Sequence, residues 1–170
     1  MRFPSPAPPE QKWTPHPGGG GGALYLNDRP VEYWTTAWST DLAAELQLEI
    51  GKPSGQTTWE MLAIFYCLLL WGRAHRGHGL VLLGDNLAAL ESALNLRGKG
   101  ALARIGREMA WRRARDGWRY VAGHLPTERN HVADALSRLA APGHEKKQWP
   151  PELANATQRA LPDPASLWTL

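Results

Sequence analysis

The segment TTWEMLAIFYCLLLW, residues 57–71, limits what this chain can fold into more than any other stretch. Eleven apolar residues follow one another from Met61 to Trp71. Crossing a bilayer takes about 20 such residues, so the run reads as a core element and no membrane association is expected. Thr57-Thr58-Trp59-Glu60 has the spacing of a capping box and marks a helix start. A helix that is apolar around nearly its whole circumference has no face to offer water. It must be enclosed, and the expected partner is a sheet.

The flanking segments supply that sheet. Ala23-Leu24-Tyr25-Leu26 and Val31-Glu32-Tyr33-Trp34-Thr35-Thr36-Ala37-Trp38 are rich in strand formers around the turn residues Asn27-Asp28-Arg29-Pro30. Together they predict an antiparallel hairpin. The five glycines before them, Gly18 to Gly22, read either as a flexible linker or as the close-packed start of a strand. Residues 39–56 suggest a helical turn and a loop. After the apolar helix, Leu80-Val81-Leu82-Leu83 reads as a strand buried on both faces. A short helix is expected over Leu87–Leu94 and another from about Ala101 to Arg115, the latter with Leu102, Ile105 and Met109 on one face. A strand at Trp118–Ala122, a loop from Gly123 to Asn130 and a helix from His131 to Ala141 complete the order. The fold class is α/β, a hairpin leading into parallel strands. Prolines at 4, 6, 8, 9, 15 and 17 make residues 1–17 an extended tail, and the Pro-rich, charged residues 142–170 read as linker or tail. The domain proper is 18–141.

A chain of 170 residues accommodates one domain plus tails. Its single cysteine, Cys67, excludes an internal disulfide framework and a cysteine-based zinc site. Met1–Pro17 has no apolar core of the kind a signal peptide needs. An intracellular setting, cytoplasmic or nuclear, is therefore expected, and the sequon at Asn155 carries no meaning there.

Three carboxylates stand at informative places: Glu60 in the first turn of the apolar helix, Asp85 at the end of the buried strand, and Asp134 in the first turn of the last helix. Sites gather at the C-terminal ends of parallel strands. Carboxylates brought together there repel one another unless a divalent cation neutralises them, and Mg²⁺ takes oxygen ligands. Each also has a local role open to it. Glu60 can complete a capping box with Thr57, Asp85 can cap the helix at Leu87, and Asp134 can complement a helix dipole. His124, in the loop before the last helix, has the chemistry of a proton shuttle, and Asn130 is suited to an N-cap. Residues 97–119 hold eight basic side chains against Glu108 and Asp116, although the whole chain carries only +3. Arg104, Arg107, Arg112 and Arg115, near Trp111, suit a phosphate backbone, and Asn86 joins them as a candidate nucleic-acid contact. An ordinary solvated helix face is the alternative.

With these residues in view, TTWEMLAIFYCLLLW, LVLLGDNLAALESAL and GHLPTERNHVADALSRL together resemble the ribonuclease H domain of retroelement reverse transcriptases, of Ty3/gypsy or DIRS type. The likeness covers about Gly19 to Ala141, and the final Ala-Asp-Ala-Leu-Ser-Arg helix is its most specific part. It implies a mixed sheet flanked by helices and hydrolysis of the RNA strand of an RNA–DNA hybrid. The implied cofactor is Mg²⁺, with Mn²⁺ as substitute. It assigns metal binding to Glu60, Asp85 and Asp134 and proton transfer to His124, and it implies a reverse transcriptase domain as a partner in a longer polyprotein. One departure matters. Relatives carry a first Asp on a central strand ahead of the Gly-rich stretch, whereas Trp13-Thr14-Pro15-His16-Pro17 has no carboxylate, and His16 is a poor ligand for Mg²⁺. Loss of that strand and its Asp is expected to impair cleavage. The alternative function is a non-catalytic nucleic-acid-binding or scaffolding module. A transposase or integrase core would place its carboxylates as Asp, Asp, Glu, against the order Glu60, Asp85, Asp134 here.

Overall fold

The computed structural model describes residues 18–140 and 149–169. Expectations for residues 1–17, including Trp13–Pro17 and His16, and for 141–148 lie outside the described residues. The glycine run is a strand: β1 spans Gly19–Leu26 and pairs antiparallel with β2, Arg29–Ala37, from Gly19 opposite Ala37 to Leu26 opposite Arg29. Asn27 and Asp28 both take positive φ, 50° and 61°. This is the backbone of a two-residue turn whose twist matches that of the strands. β2 owes its position to alternation. Adjacent side chains on a strand point to opposite faces, so Trp34 is fully buried on one side while Tyr33 is buried on the other.

Each face has its own cover. On the Trp34 side lies α2, Gln56–Trp71, with Met61, Leu62, Phe65 and Leu68 all at 0% exposure. On the Tyr33 side lies α5, His131–Leu139, through Val132 and Leu136. The glycines permit the approach. A Cβ at Gly21 would meet the α5 backbone at 2.7 Å, and one at Gly22 would meet Cys67 Sγ of α2 at 2.8 Å. A short helix, α1 (Thr40–Glu45), is capped by Ser39 and sends Leu42 and Ala43 into the same core. The apolar helix is enclosed as expected, but not by a sheet alone. Two further helices, α3 (Leu87–Asn95) and α4 (Gly100–Asp116), cover its remaining circumference, the latter through the fully buried Ile105 and Met109.

The α/β class holds, with three departures from expectation. First, the described strands form two sheets. β3 (Leu80–Gly84) pairs in parallel with β4 (Tyr120–His124), Gly84 lying opposite His124, while β5 (Thr157–Gln158) adds in parallel to β2 in the other sheet. Second, β3 is not buried on both faces. Leu82 is buried against the helices, but Val81 and Leu83 are 66% and 58% exposed. Helix α5 packs on β1 and β2 and, among the described residues, no helix covers the outer face of β3 and β4. Third, the described part of the segment read as linker or tail is packed. Leu153 and Leu167 are fully buried, because residues 149–158 close over α5 and 161–169 close over α2 and α4.

Candidate functional site

The end of β3 and the first turn of α2 meet in a shallow cleft of about 350 Å³ lined by Gln56, Glu60, Asp85, Asn86 and Leu87. The expected capping box does not form. Gly55 is the N-cap of α2 and makes no side-chain cap. The Glu60 carboxylate turns instead to Gln56, one turn earlier, whose Nε2 donates to its Oε1 at 2.6 Å. This leaves Glu60 facing the cleft. Burial, first, and the negative charge of Asp85 hold its carboxyl above the usual carboxylate range, with hydrogen bonds from Gln56 and Asn86 opposing the shift.

Asp85 does not cap α3. Asn86 does, its Oδ1 accepting from the Ala89 amide at 3.0 Å. That job, given to the neighbouring amide, leaves the Asp85 carboxylate available. Asn130, expected to cap α5, makes no side-chain cap. Its Nδ2 donates to Asp85 Oδ1 at 3.0 Å and ties the loop before α5 to the end of β3. Nothing in the sequence spacing signalled this bond, which links residues 45 apart. His124 is exposed at the end of β4, opposite Gly84 and so one residue from Asp85 across the ribbon. The Leu125 amide donates to the Gly84 carbonyl at 2.8 Å and holds the two strand ends together.

Asp134 does not join the pair. It is half-exposed, and its Oδ1 accepts from Arg138 Nε at 2.8 Å, one turn along its own helix. Among the described residues, no three His, Cys, Asp or Glu side chains converge closely enough to hold a metal ion. Glu60 and Asp85 by themselves fit a hard cation. Both are oxygen donors, they share an open cleft, and the charge of Asp85 raises the cost of ionising Glu60.

The arginines of α4 are largely committed within the chain. Arg104 Nη2 donates to Glu45 Oε1 at 2.7 Å, and its guanidinium lies over the Trp168 ring, 4.2 Å from the centroid. Arg112 Nη2 donates to the carbonyls of Ser166 and Leu167, each at 3.1 Å. Arg113 lies over Tyr120, and Arg115 grips Asp116 through two 2.8 Å bonds. Arg107 and Trp111 remain exposed. Sequence reasoning missed Glu108, which sits in the middle of the basic stripe at 1% exposure. Its oxygens accept from the Thr169 amide and hydroxyl at 2.7 and 2.8 Å. Compared with family models, curated proteins and solved structures, the chain matches none.

Proposed function

We propose that this chain is a ribonuclease H-like module that binds nucleic acid, with Glu60 and Asp85 as its divalent-cation site and with hydrolysis impaired. The observation that carries the reading is the pairing of these two carboxylates, from different elements, in one open cleft at the C-terminal end of a parallel ribbon. The order of elements supports it as well: hairpin, short helix, enclosed helix, strand, two helices, strand, helix.

In this reading Glu60 and Asp85 hold the cation, and Asn130 fixes the rotamer of Asp85. His124, at the neighbouring strand end, would carry a proton to or from a leaving oxygen. Mg²⁺ or Mn²⁺, when bound, supplies charge stabilisation at a phosphate oxygen and a more acidic water. Asp134 stays on Arg138, and residues 13–17 offer no further carboxylate. Weak cleavage with retained binding is the expected phenotype.

The test is cleavage of a labelled RNA–DNA hybrid in Mg²⁺ and Mn²⁺, run beside Mn²⁺ titration calorimetry on the full chain. Expected are little or no cleavage, salt-dependent hybrid binding, and a Mn²⁺ site that disappears in Glu60→Gln and in Asp85→Asn. Mn²⁺ affinity should rise with pH, since Glu60 must lose its proton to serve as a ligand. Unchanged Mn²⁺ affinity in both variants sinks the carboxylate-pair reading. Brisk cleavage that is lost in Asp134→Asn shows instead that Asp134 swings off Arg138 and completes an active site. The second reading, a module that binds nucleic acid without any cation, is favoured by the engagement of Asp134 with Arg138. It predicts hybrid binding indifferent to both Mn²⁺ and Glu60→Gln.

A further inference from the structure

Residues 161–169 run along α2 and α4 and end on the basic helix. Leu167, fully buried in the main core, anchors them, and three further contacts hold them on α4. Glu108, buried on α4, accepts from both donors of Thr169, the amide and the hydroxyl. Arg112 donates to two successive carbonyls, those of Ser166 and Leu167. The Trp168 ring lies under the Arg104 guanidinium, 4.2 Å from its centroid, and near-parallel to the Phe65 ring with centroids 6.4 Å apart. Upstream, Asp163 Oδ1 caps a turn over Pro164–Ser166 and sets the direction of approach.

The groups that meet these arginines are those a nucleic acid would bring. An arginine over an indole has the geometry of an arginine over a base. Two acceptor oxygens on one guanidinium edge occupy the place of phosphate oxygens. We propose that residues 163–169 are an autoinhibitory strap, a ligand mimic that covers part of the nucleic-acid surface of α4 and must lift for tight binding. The proposal rests on the nucleic-acid reading given above. Glu108 is the latch. It holds the strap by accepting two hydrogen bonds, and after release it stays beside Arg112, whose Nε is 3.6 Å away. What release uncovers is the Phe65 face, the Arg104 face now under Trp168, and the Nη2 edge of Arg112. Arg107 and Trp111, already exposed on the same helix, would extend that surface.

The test compares the full chain with its Trp168→Ala and Thr169→Val variants. Fluorescence anisotropy follows binding of a labelled RNA–DNA hybrid through a salt series, and limited proteolysis after Arg159 reports whether the strap has lifted. Expected for Trp168→Ala is about tenfold tighter binding at low salt. The slope of log K against log salt should steepen by about one unit for each arginine recruited. Thr169→Val, which keeps the amide donor, should show a smaller shift in the same direction. Should Trp168→Ala not fold, this milder variant carries the test alone. A synthetic peptide of residues 163–170, added in trans, should restore weak binding to the Trp168→Ala chain. Equal affinity and slope in a folded variant whose strap is cleaved more readily overturn the strap while leaving the nucleic-acid reading intact. Tighter binding without a steeper slope also overturns it, since the arginines would not be responsible. No hybrid binding by any form, even at low salt, removes the nucleic-acid reading and the strap with it.

Discussion

Cys67 shows how much one side chain's setting depends on neighbours far away in sequence. It is only part-buried as a residue, but its Sγ points at β1, where Gly22 and the Trp34 Nε1, 3.4 Å away, enclose it. Burial pushes the thiol from 9.0 up to about 11. Only the thiolate is nucleophilic. Native protein should therefore resist maleimide or disulfide reagents at neutral pH and react at once in urea, which a labelling time course followed by mass spectrometry checks. The same shift has a sign for stability. A group whose folded pKa is raised stabilises while protonated, so its contribution is intact below about pH 9 and lost as pH climbs toward 11, amounting to about 3 kcal/mol at most. Tyr66, raised to about 12 by burial and by the charge of Asp163, adds to the alkaline loss. Chemical denaturation at several alkaline pH values should show the midpoint falling across that window. Cys67 falls within the apolar run 61–71 that the sequence required to be enclosed. That its sulfur accepts from an indole 33 residues earlier was not legible, because the hairpin's placement on α2 decides it.

Among the elements, β1 is the least expected. Glycine costs conformational entropy in a strand, about 0.5–1 kcal/mol per residue relative to alanine. The sequence therefore left Gly18 to Gly22 open between linker and strand. Packing resolves the choice, since helices press on both faces of β1 more closely than any side chain there would allow. Gly21→Ala would drive a methyl into Leu136 and into the α5 backbone at 2.7–2.8 Å. Backbone cannot step aside as a side chain can, so the substitution should cost about 2 kcal/mol or more, read as a lower urea midpoint. Gly77→Ala, where the added methyl meets nothing within 4 Å, is the matched control and should stay near wild type. Helix identity was legible throughout, from periodicity and apolar content. Caps were less so. The Thr57–Glu60 spacing has the form of a capping box, yet the helix begins one residue earlier at Gln56 after a turn over Pro53–Gly55, and Glu60 is thereby released to the cleft.

For the molecule as a whole, the two sheets are unequal in protection. The hairpin sheet is covered on both faces. The β3–β4 ribbon is covered on one, leaving Val81, Leu83 and Val121 between 58% and 66% exposed. A parallel two-stranded ribbon with an apolar outer face is an association hazard. Val81→Lys should reduce concentration-dependent association by light scattering while moving thermal stability by about 0.5 kcal/mol or less. Unchanged association would show that this face is not where copies meet. The candidate site lies at the C-terminal end of the same ribbon, so Asp85 and His124 emerge beside its exposed apolar face.

The sequence by itself determined that residues 57–71 had to be enclosed, where most helices begin and end, and which carboxylates stand at strand and helix ends. These are local properties, written in hydrophobic period, turn chemistry and composition. Tertiary structure alone decided which of those carboxylates meet. Glu60 and Asp85 share a cleft because α2 lies beside the end of β3, while Asp134 is held by an arginine one turn away that no spacing rule ranks above a distant cation. It also decided the fate of the basic helix. A run of arginines reads as a polyanion surface until a returning segment of chain supplies carbonyls and an indole to occupy it, and a threonine that donates to Glu108 on the same helix. Residues 161–169 look like a tail because they are short, proline-rich and aperiodic. They pack because Leu167 and Trp168 find apolar cover against α2 and α4, a long-range contact that no local pattern encodes.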